Sequence, residues 1–202
     1  MSRLSKDEVL GTLRLLADGL RAPVWLAGGL AADFHVGRWT RDHDDVDLVA
    51  FEDDREALGG DLTDLGLAQT DERGWITRWT RFGRDVGEVS LAFERQIGTN
   101  TGALVFGAEH ASQGLVPGVY PGVSGNLDPE RFKTLEGVRF RVVSAEDEWA
   151  FATGYRSLRP EAAERSTVQH NLALLESVID DATIARLRPL AGRRLPLESV
   201  ER

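Results

Sequence analysis

One short run, Asp45-Val46-Asp47-Leu48-Val49-Ala50-Phe51, constrains this chain more than any other. Its apolar part has no polar face, so Asp45 to Phe51 reads as a central strand covered on both sides. Side chains alternate along a strand, which puts the carboxylates of Asp45 and Asp47 on one face with Cα atoms roughly 6.5–7 Å apart. Asp44 falls on the other side and is expected to be dispensable for metal binding. An Asp-x-Asp pair is often only a solvated strand face, but here the acids stand at the mouth of a buried strand, where like charges repel unless a cation compensates them. Mg²⁺ takes oxygen ligands and keeps waters and phosphates, which suits such a pair. The chain has no cysteine, so any metal must be held by oxygen or by its four histidines, and thiolate chemistry is excluded.

Upstream, Val24 to Ala27 form an apolar run closed by Gly28 and Gly29 and followed by a short helix, Leu30 to Val36. A strand, a glycine turn and a helix N-terminus let backbone N–H groups approach phosphate oxygens. The spacing is neither that of a P-loop nor that of a dinucleotide fingerprint. Gly37 breaks the helix, and residues 38–44 read as a loop.

Elsewhere, Ser5 and Glu8 form a capping-box pattern, and Val9, Leu13, Leu16 and Leu20 recur at helical spacing, predicting a helix over 6–19. Residues 53–65 suggest a surface helix interrupted by Gly59 and Gly60. Three β-rich stretches follow near 67–71, 75–82 and 86–93, a run that suggests antiparallel pairing. Residues 98–129 are rich in turn formers, with short strands at 103–106 and 116–120, and 138–143 reads as the last strand. Ser144 with Asp147 and Glu148 caps a helix reaching Leu158. Helices over 161–179 and 182–187 complete an α/β (α+β) chain, divided into a mixed part, residues 1–143, and a helical part, residues 144–202.

With 33 acidic and 24 basic residues, the chain lacks the surplus of cations that nucleic-acid binding needs; a cationic partner fits better, although net acidity by itself points first to solubility. No stretch has the length of a membrane span and the N-terminus lacks a signal-peptide core, so the expected location is the cytoplasm, with no membrane partner.

Gly28, Gly29, Asp33, Gly37, Arg38, Thr40, Arg41, His43, Asp45 and Asp47 together make the chain resemble the nucleotidyltransferase superfamily. Within it, the resemblance is to the antibiotic-modifying branch of aminoglycoside adenylyltransferases and lincosamide nucleotidyltransferases. It implies the nucleotidyltransferase fold, a mixed twisted sheet flanked by helices, followed here by a helical part. It also implies transfer of AMP from ATP, with Mg²⁺ as two ions, to a hydroxyl of a small, cationic acceptor, an aminoglycoside or a lincosamide, with release of pyrophosphate. Asp45 and Asp47 are then catalytic metal ligands, and the third carboxylate is carried to Glu88, with Asp85 as runner-up. Glu88 is open to roles as metal ligand, base or both, with Glu94 and Asp128 as alternatives for the base. Gly28, Gly29, Arg38 and Arg41 are the nucleotide-binding candidates, although the arginines could equally cap the helix or pair with Asp33, Asp42 or Asp44.

The chain departs from the family pattern in having Glu88 where aspartate is usual and Leu30 where an aromatic residue follows the glycines. His43 is expected to order the loop by a hydrogen bond. Trp75, Trp79 and Phe82 either line the acceptor pocket or pack in the core. Thr153, Gly154, Tyr155 and the stretch His170 to Leu175 are similar to the helical region of lincosamide-type enzymes. Two other functions stay open: nucleotidyl transfer to a metabolite or protein hydroxyl, and a non-catalytic, antitoxin-like binding partner of the same fold.

Overall fold

The computed structural model describes residues 4–81, 88–113, 115–158 and 166–200. The first helix, α1 (Lys6–Gly19), starts at the expected capping box: the Ser5 hydroxyl accepts the Glu8 N–H, and the Glu8 carboxylate accepts the Ser5 N–H at 2.7 Å. The apolar run and glycine pair become β1 (Trp25–Leu26) and α2 (Gly28–Val36), and the acidic strand is β2 (Asp45–Phe51). A 3₁₀ turn then leads into α3 (Arg55–Asp64), which runs unbroken through Gly59 and Gly60. The glycines cost helix propensity of about 1 kcal/mol each, but Leu58 and Leu62 are wholly buried on the same helix and hold it against the core.

Next come β3 (Leu67–Glu72), β4 (Ile76–Arg81), β5 (Glu88–Gly98), β6 (Thr101–Phe106) and β7 (Gly118–Pro121). A hairpin of β8 (Phe132–Leu135) and β9 (Val138–Arg141) follows. The sequence pattern anticipated β9 but not its partner. The turn between them takes two consecutive left-handed residues, Glu136 and Gly137, at φ 49° and 74°, the backbone of a tight hairpin. The C-terminal helices are α4 (Ala145–Leu158), α5 (Ser166–Glu176) and α6 (Asp181–Leu187). Residues 161–165 of the helix expected over 161–179 lie outside the described residues, as do Phe82 and Asp85.

Among the described residues a seven-stranded mixed sheet has the backbone order β1-β2-β5-β4-β3, with β6 and β7 continuing from the far end of β5. Within this sheet β2 and β5 pair in parallel, and this register sets Asp45 beside Glu88 and Asp47 beside Ser90. One face of the sheet, with Val46, Leu48, Val89 and Leu91, packs against Leu13 and Leu16 of α1, Leu58 and Leu62 of α3 and Phe140 of β9. The opposite face carries Asp45, Asp47, Ser90, Ala92 and Glu94 toward a cleft. A second core joins Ala32 of α2 to Trp149, Leu175, Ile184 and Leu187, so the C-terminal helices dock on the helix that follows the glycine turn. No helix among the described residues is long and apolar enough to cross a membrane.

The last turns are pinned where α4 and the segment after α6 touch backbone to backbone: a Cβ on Gly154 would overlap the Gly192 main chain. Backbone on both sides leaves no flexible side chain to yield. Gly154→Ala should therefore destabilise the protein by about 1–3 kcal/mol, seen as a lower midpoint in urea unfolding; an unchanged midpoint would contradict this packing.

Candidate active site

The strand phase read from sequence is the observed one: Asp45 and Asp47 both face the cleft, while Asp44 is exposed before the strand. The cleft has a volume of about 340 Å³. Burial, reinforced by the neighbouring Asp45 charge, pushes the Asp47 carboxyl up to about 7, with Glu88 adding to the rise and Arg78 opposing it. Burial also raises the pKa of Asp45, helped by Asp44 and opposed by Arg78, His43 and Arg41. The cause is general: an ion loses solvation when buried, and a second like charge within a few ångströms compounds the penalty.

Glu88, on β5, stands level with Asp45 and is paired with Arg78 of β4 at 3.3 Å. By alternation it shares a strand face with Ser90, although it does not itself line the cleft. Among the described residues no three His, Asp or Glu side chains already converge as a ligand set for a metal ion. The ready oxygen donors are the two aspartates, a set to which phosphate oxygens can be added.

The glycine turn packs directly on this acidic strand. Gly28 adopts φ 67°, and a Cβ there would meet Asp47 Oδ2 at 2.7 Å, so both its conformation and its contact demand glycine. Ala27 precedes α2 without a side-chain cap, leaving the helix N-terminus with backbone donors and a positive dipole end. The Arg41 guanidinium lies over Gly29, where any Cβ would collide with its Nη2. Its Nη1 donates to the Asp42 carbonyl at 2.8 Å, while its Nε and the Asn171 Oδ1 are buried without a hydrogen-bond partner. Arg38 is exposed beyond the other end of α2 and does not line the cleft.

Asp33 explains how the 38–44 loop brings Arg41 back to Gly29. Its carboxylate is 0% exposed and accepts the Thr40 N–H at 3.0 Å, the Thr40 hydroxyl at 2.5 Å and His43 Nε2 at 3.0 Å. His43 therefore orders the loop, and Asp33 pairs with neither arginine. His170 of α5 joins from the far side, its Nε2 3.0 Å from the Thr40 hydroxyl.

The inner wall of the cleft holds three acids that sequence reasoning placed elsewhere or ranked low. Asp147 and Glu148 read as capping residues of α4, yet the Asp147 carboxylate accepts the Val123 N–H at 2.6 Å and Asn126 Nδ2 at 3.1 Å, and Glu148 accepts the Gly28 N–H at 3.0 Å. Glu94 is 7% exposed and bound to Asn126 Nδ2 at 3.2 Å. Burial, then the Asp147 charge, pushes Glu94 up to about 8, and burial raises Asp147 and Glu148 as well. The available signal was the clustering of Glu146, Asp147 and Glu148, more acid than one cap requires. Asp128 instead holds a local turn by accepting the Glu130 N–H. Of the tryptophans, Trp75 lines the cleft, whereas Trp79 is buried in the core.

A family model for aminoglycoside-2''-adenylyltransferase matches residues 9–168. A 2''-aminoglycoside nucleotidyltransferase of Klebsiella pneumoniae is 43% identical over 56 residues, covering 24% of this chain and 31% of that relative's length. The crystal structure of ANT(2'')-Ia in complex with adenylyl-2''-tobramycin aligns with a TM-score of 0.68 at 18% identity, covering 92% of this chain and 96% of that one. The lincosamide antibiotic adenylyltransferase LnuA, lincomycin-bound, aligns with a TM-score of 0.62 at 15% identity, covering 88% of this chain and 100% of that one. These structures share the nucleotidyltransferase fold with this chain.

The buried acids set a pH dependence opposite to that of paired surface carboxylates. Folded Glu94 holds its proton up to about 8, against 4.5 for an ordinary glutamate, so the folded state binds more protons between these values and stability falls as pH rises through that window. The metal-free protein should unfold at lower urea concentration at pH 8.5 than at pH 5.5, and Glu94→Gln should flatten the difference; a profile unaltered by the substitution would contradict the assignment.

Proposed function

The chain belongs to the aminoglycoside-2''-adenylyltransferase family, and from that premise we propose that it transfers AMP from ATP to a hydroxyl of an aminoglycoside, releasing pyrophosphate. The observation that carries the reading is the pair of desolvated, mutually repelling carboxylates of Asp45 and Asp47, facing a cleft beside the N-terminus of α2, where Ala27 provides no side-chain cap. Two carboxylates together with substrate phosphates form the donor set that Mg²⁺ favours. In this reading Asp45 and Asp47 hold the metal, as two ions, with Glu88 as third carboxylate. When bound, the metal supplies electrophilic activation and charge neutralisation at the reacting phosphate.

The chain's own groups do the rest. Gly28 and Gly29 let the triphosphate approach the first turn of α2, whose N–H groups and dipole favour anions. Arg41, already over Gly29, neutralises the charge that builds on pyrophosphate. Arg38 would act there only after a rearrangement of its exposed side chain. The acceptor hydroxyl oxygen attacks the α-phosphorus, the bond from that phosphorus to the bridging oxygen of pyrophosphate breaks, and the hydroxyl proton passes to Glu88. Residues 1–143 act as the nucleotidyltransferase domain, and the helical region 144–202 supplies an acceptor-side wall. That wall favours a cationic amino sugar, since Asp147 of α4 lines the cleft together with Glu94 of β5 and no basic side chain forms an ion pair with either among the described residues, so that an ammonium group bound there would favour their ionised forms.

Mass detection of adenylylated product after incubation with ATP, Mg²⁺ and a panel of aminoglycosides and lincosamides tests the proposal. An aminoglycoside product is expected, with Asp45→Asn and Asp47→Asn each lowering turnover roughly 100-fold or more and Asp44→Asn staying within about threefold of the unaltered protein. A lincosamide product alone would overturn the acceptor; nucleotide binding with no drug modified would point to a metabolite or protein hydroxyl. Equal loss in all three variants would overturn the assignment of Asp45 and Asp47.

A further inference from the structure

We propose that Glu148 is a positioning residue for the reaction: by accepting the Gly28 N–H it fixes the left-handed glycine turn against Asp47 and ties helix α4 to the nucleotide side of the cleft. Three observations converge on it. Glu148 is 8% exposed and its Oε1 lies 3.0 Å from the Gly28 nitrogen, across 120 residues of sequence. Gly28 is in the left-handed region and sits so close to Asp47 that a single added carbon would meet its carboxylate. Helix α4 reaches this point from the opposite wall of the cleft, with Asp147 of the same turn bound to Val123 and Asn126.

A helix N-terminus leaves its first N–H groups without intrahelical partners. Ala27 contributes no side-chain cap, so Glu148 takes the role from a distant element. Satisfying the first donor leaves the donors of Gly29 and Leu30 for phosphate oxygens, and it fixes the peptide that abuts Asp47. No basic residue among the described ones forms an ion pair with Glu148. The contact is thus a hydrogen bond from a backbone N–H to an acceptor oxygen, a role the neutral amide of glutamine can also fill.

The functional half of this inference rests on the transferase reading above; the Glu148–Gly28 contact does not. Glu148→Gln keeps an oxygen acceptor, and Glu148→Ala removes it. Exchange of the Gly28 amide proton, followed by NMR on nucleotide-free protein, should be about tenfold faster in Glu148→Ala and little changed in Glu148→Gln. In steady-state assays Glu148→Ala should lower kcat about tenfold while the acceptor KM stays within about twofold, and Glu148→Gln should recover most of the loss. A role confined to general support of α4 would instead raise the acceptor KM and gain nothing from glutamine. Unchanged Gly28 exchange in Glu148→Ala, or equal impairment of both variants, would overturn the proposal. Should the unaltered protein transfer no AMP, the transferase reading falls, and the exchange measurement still decides whether Glu148 holds Gly28.

Discussion

Repulsion between two aspartates in a desolvated strand mouth is the constraint around which the cleft is arranged. Asp45 and Asp47 are on one face because β2 is extended, and they are poorly solvated because the strand continues into an apolar core on its other face. The cationic groups near them moderate that charge. Arg78 and Arg41 oppose the rise in the Asp47 pKa, and the glycine turn brings the positive end of α2 beside it. The parallel register of β2 with β5 then sets Glu88 on the adjacent strand, where Arg78 pairs with it. A metal with phosphate ligands is the natural complement of this arrangement, and the proposed reaction follows from it.

The loop between α2 and β2 depends on a second polar centre. Asp33, wholly buried, accepts three hydrogen bonds from Thr40 and His43, which offsets the cost of taking a carboxylate out of water. The result is a loop that returns Arg41 to Gly29 instead of leaving it in solvent. His170 extends the network to α5, so one helix of the C-terminal part contacts this loop while Glu148 of another contacts the glycine turn. The two polar links and the apolar contact at Ala32 hold the helical part to the elements that form the cleft.

Local periodicity made much of this legible. The phase of β2 followed from alternation alone, the start of α1 from Ser5 and Glu8, and the loop-ordering role of His43 from its place beside an acidic strand. Strand β8 escaped because Phe132 to Leu135 carries no pattern of its own and exists through its partner β9. Local propensity predicts an interruption of α3 at Gly59 and Gly60, whereas the anchoring of Leu58 and Leu62 that keeps it whole is tertiary. Asp147 and Glu148 show the same limit: Ser144 does cap α4 by accepting the Asp147 N–H, as the sequence suggests, but only the docking of the helix reveals that the two carboxylates reach Val123, Asn126 and Gly28. Residues far apart in sequence that meet only after folding were the ones sequence reasoning could not join.

The most direct test of the central claim is to locate the cation itself, by anomalous diffraction from crystals grown with Mn²⁺ and a non-hydrolysable ATP analogue. The account predicts an anomalous peak within coordination distance of both Asp45 and Asp47, with the triphosphate lying over Gly29 beside Arg41. A peak held elsewhere, or a nucleotide bound away from the glycine turn while Asp45 and Asp47 stay unliganded, would contradict it.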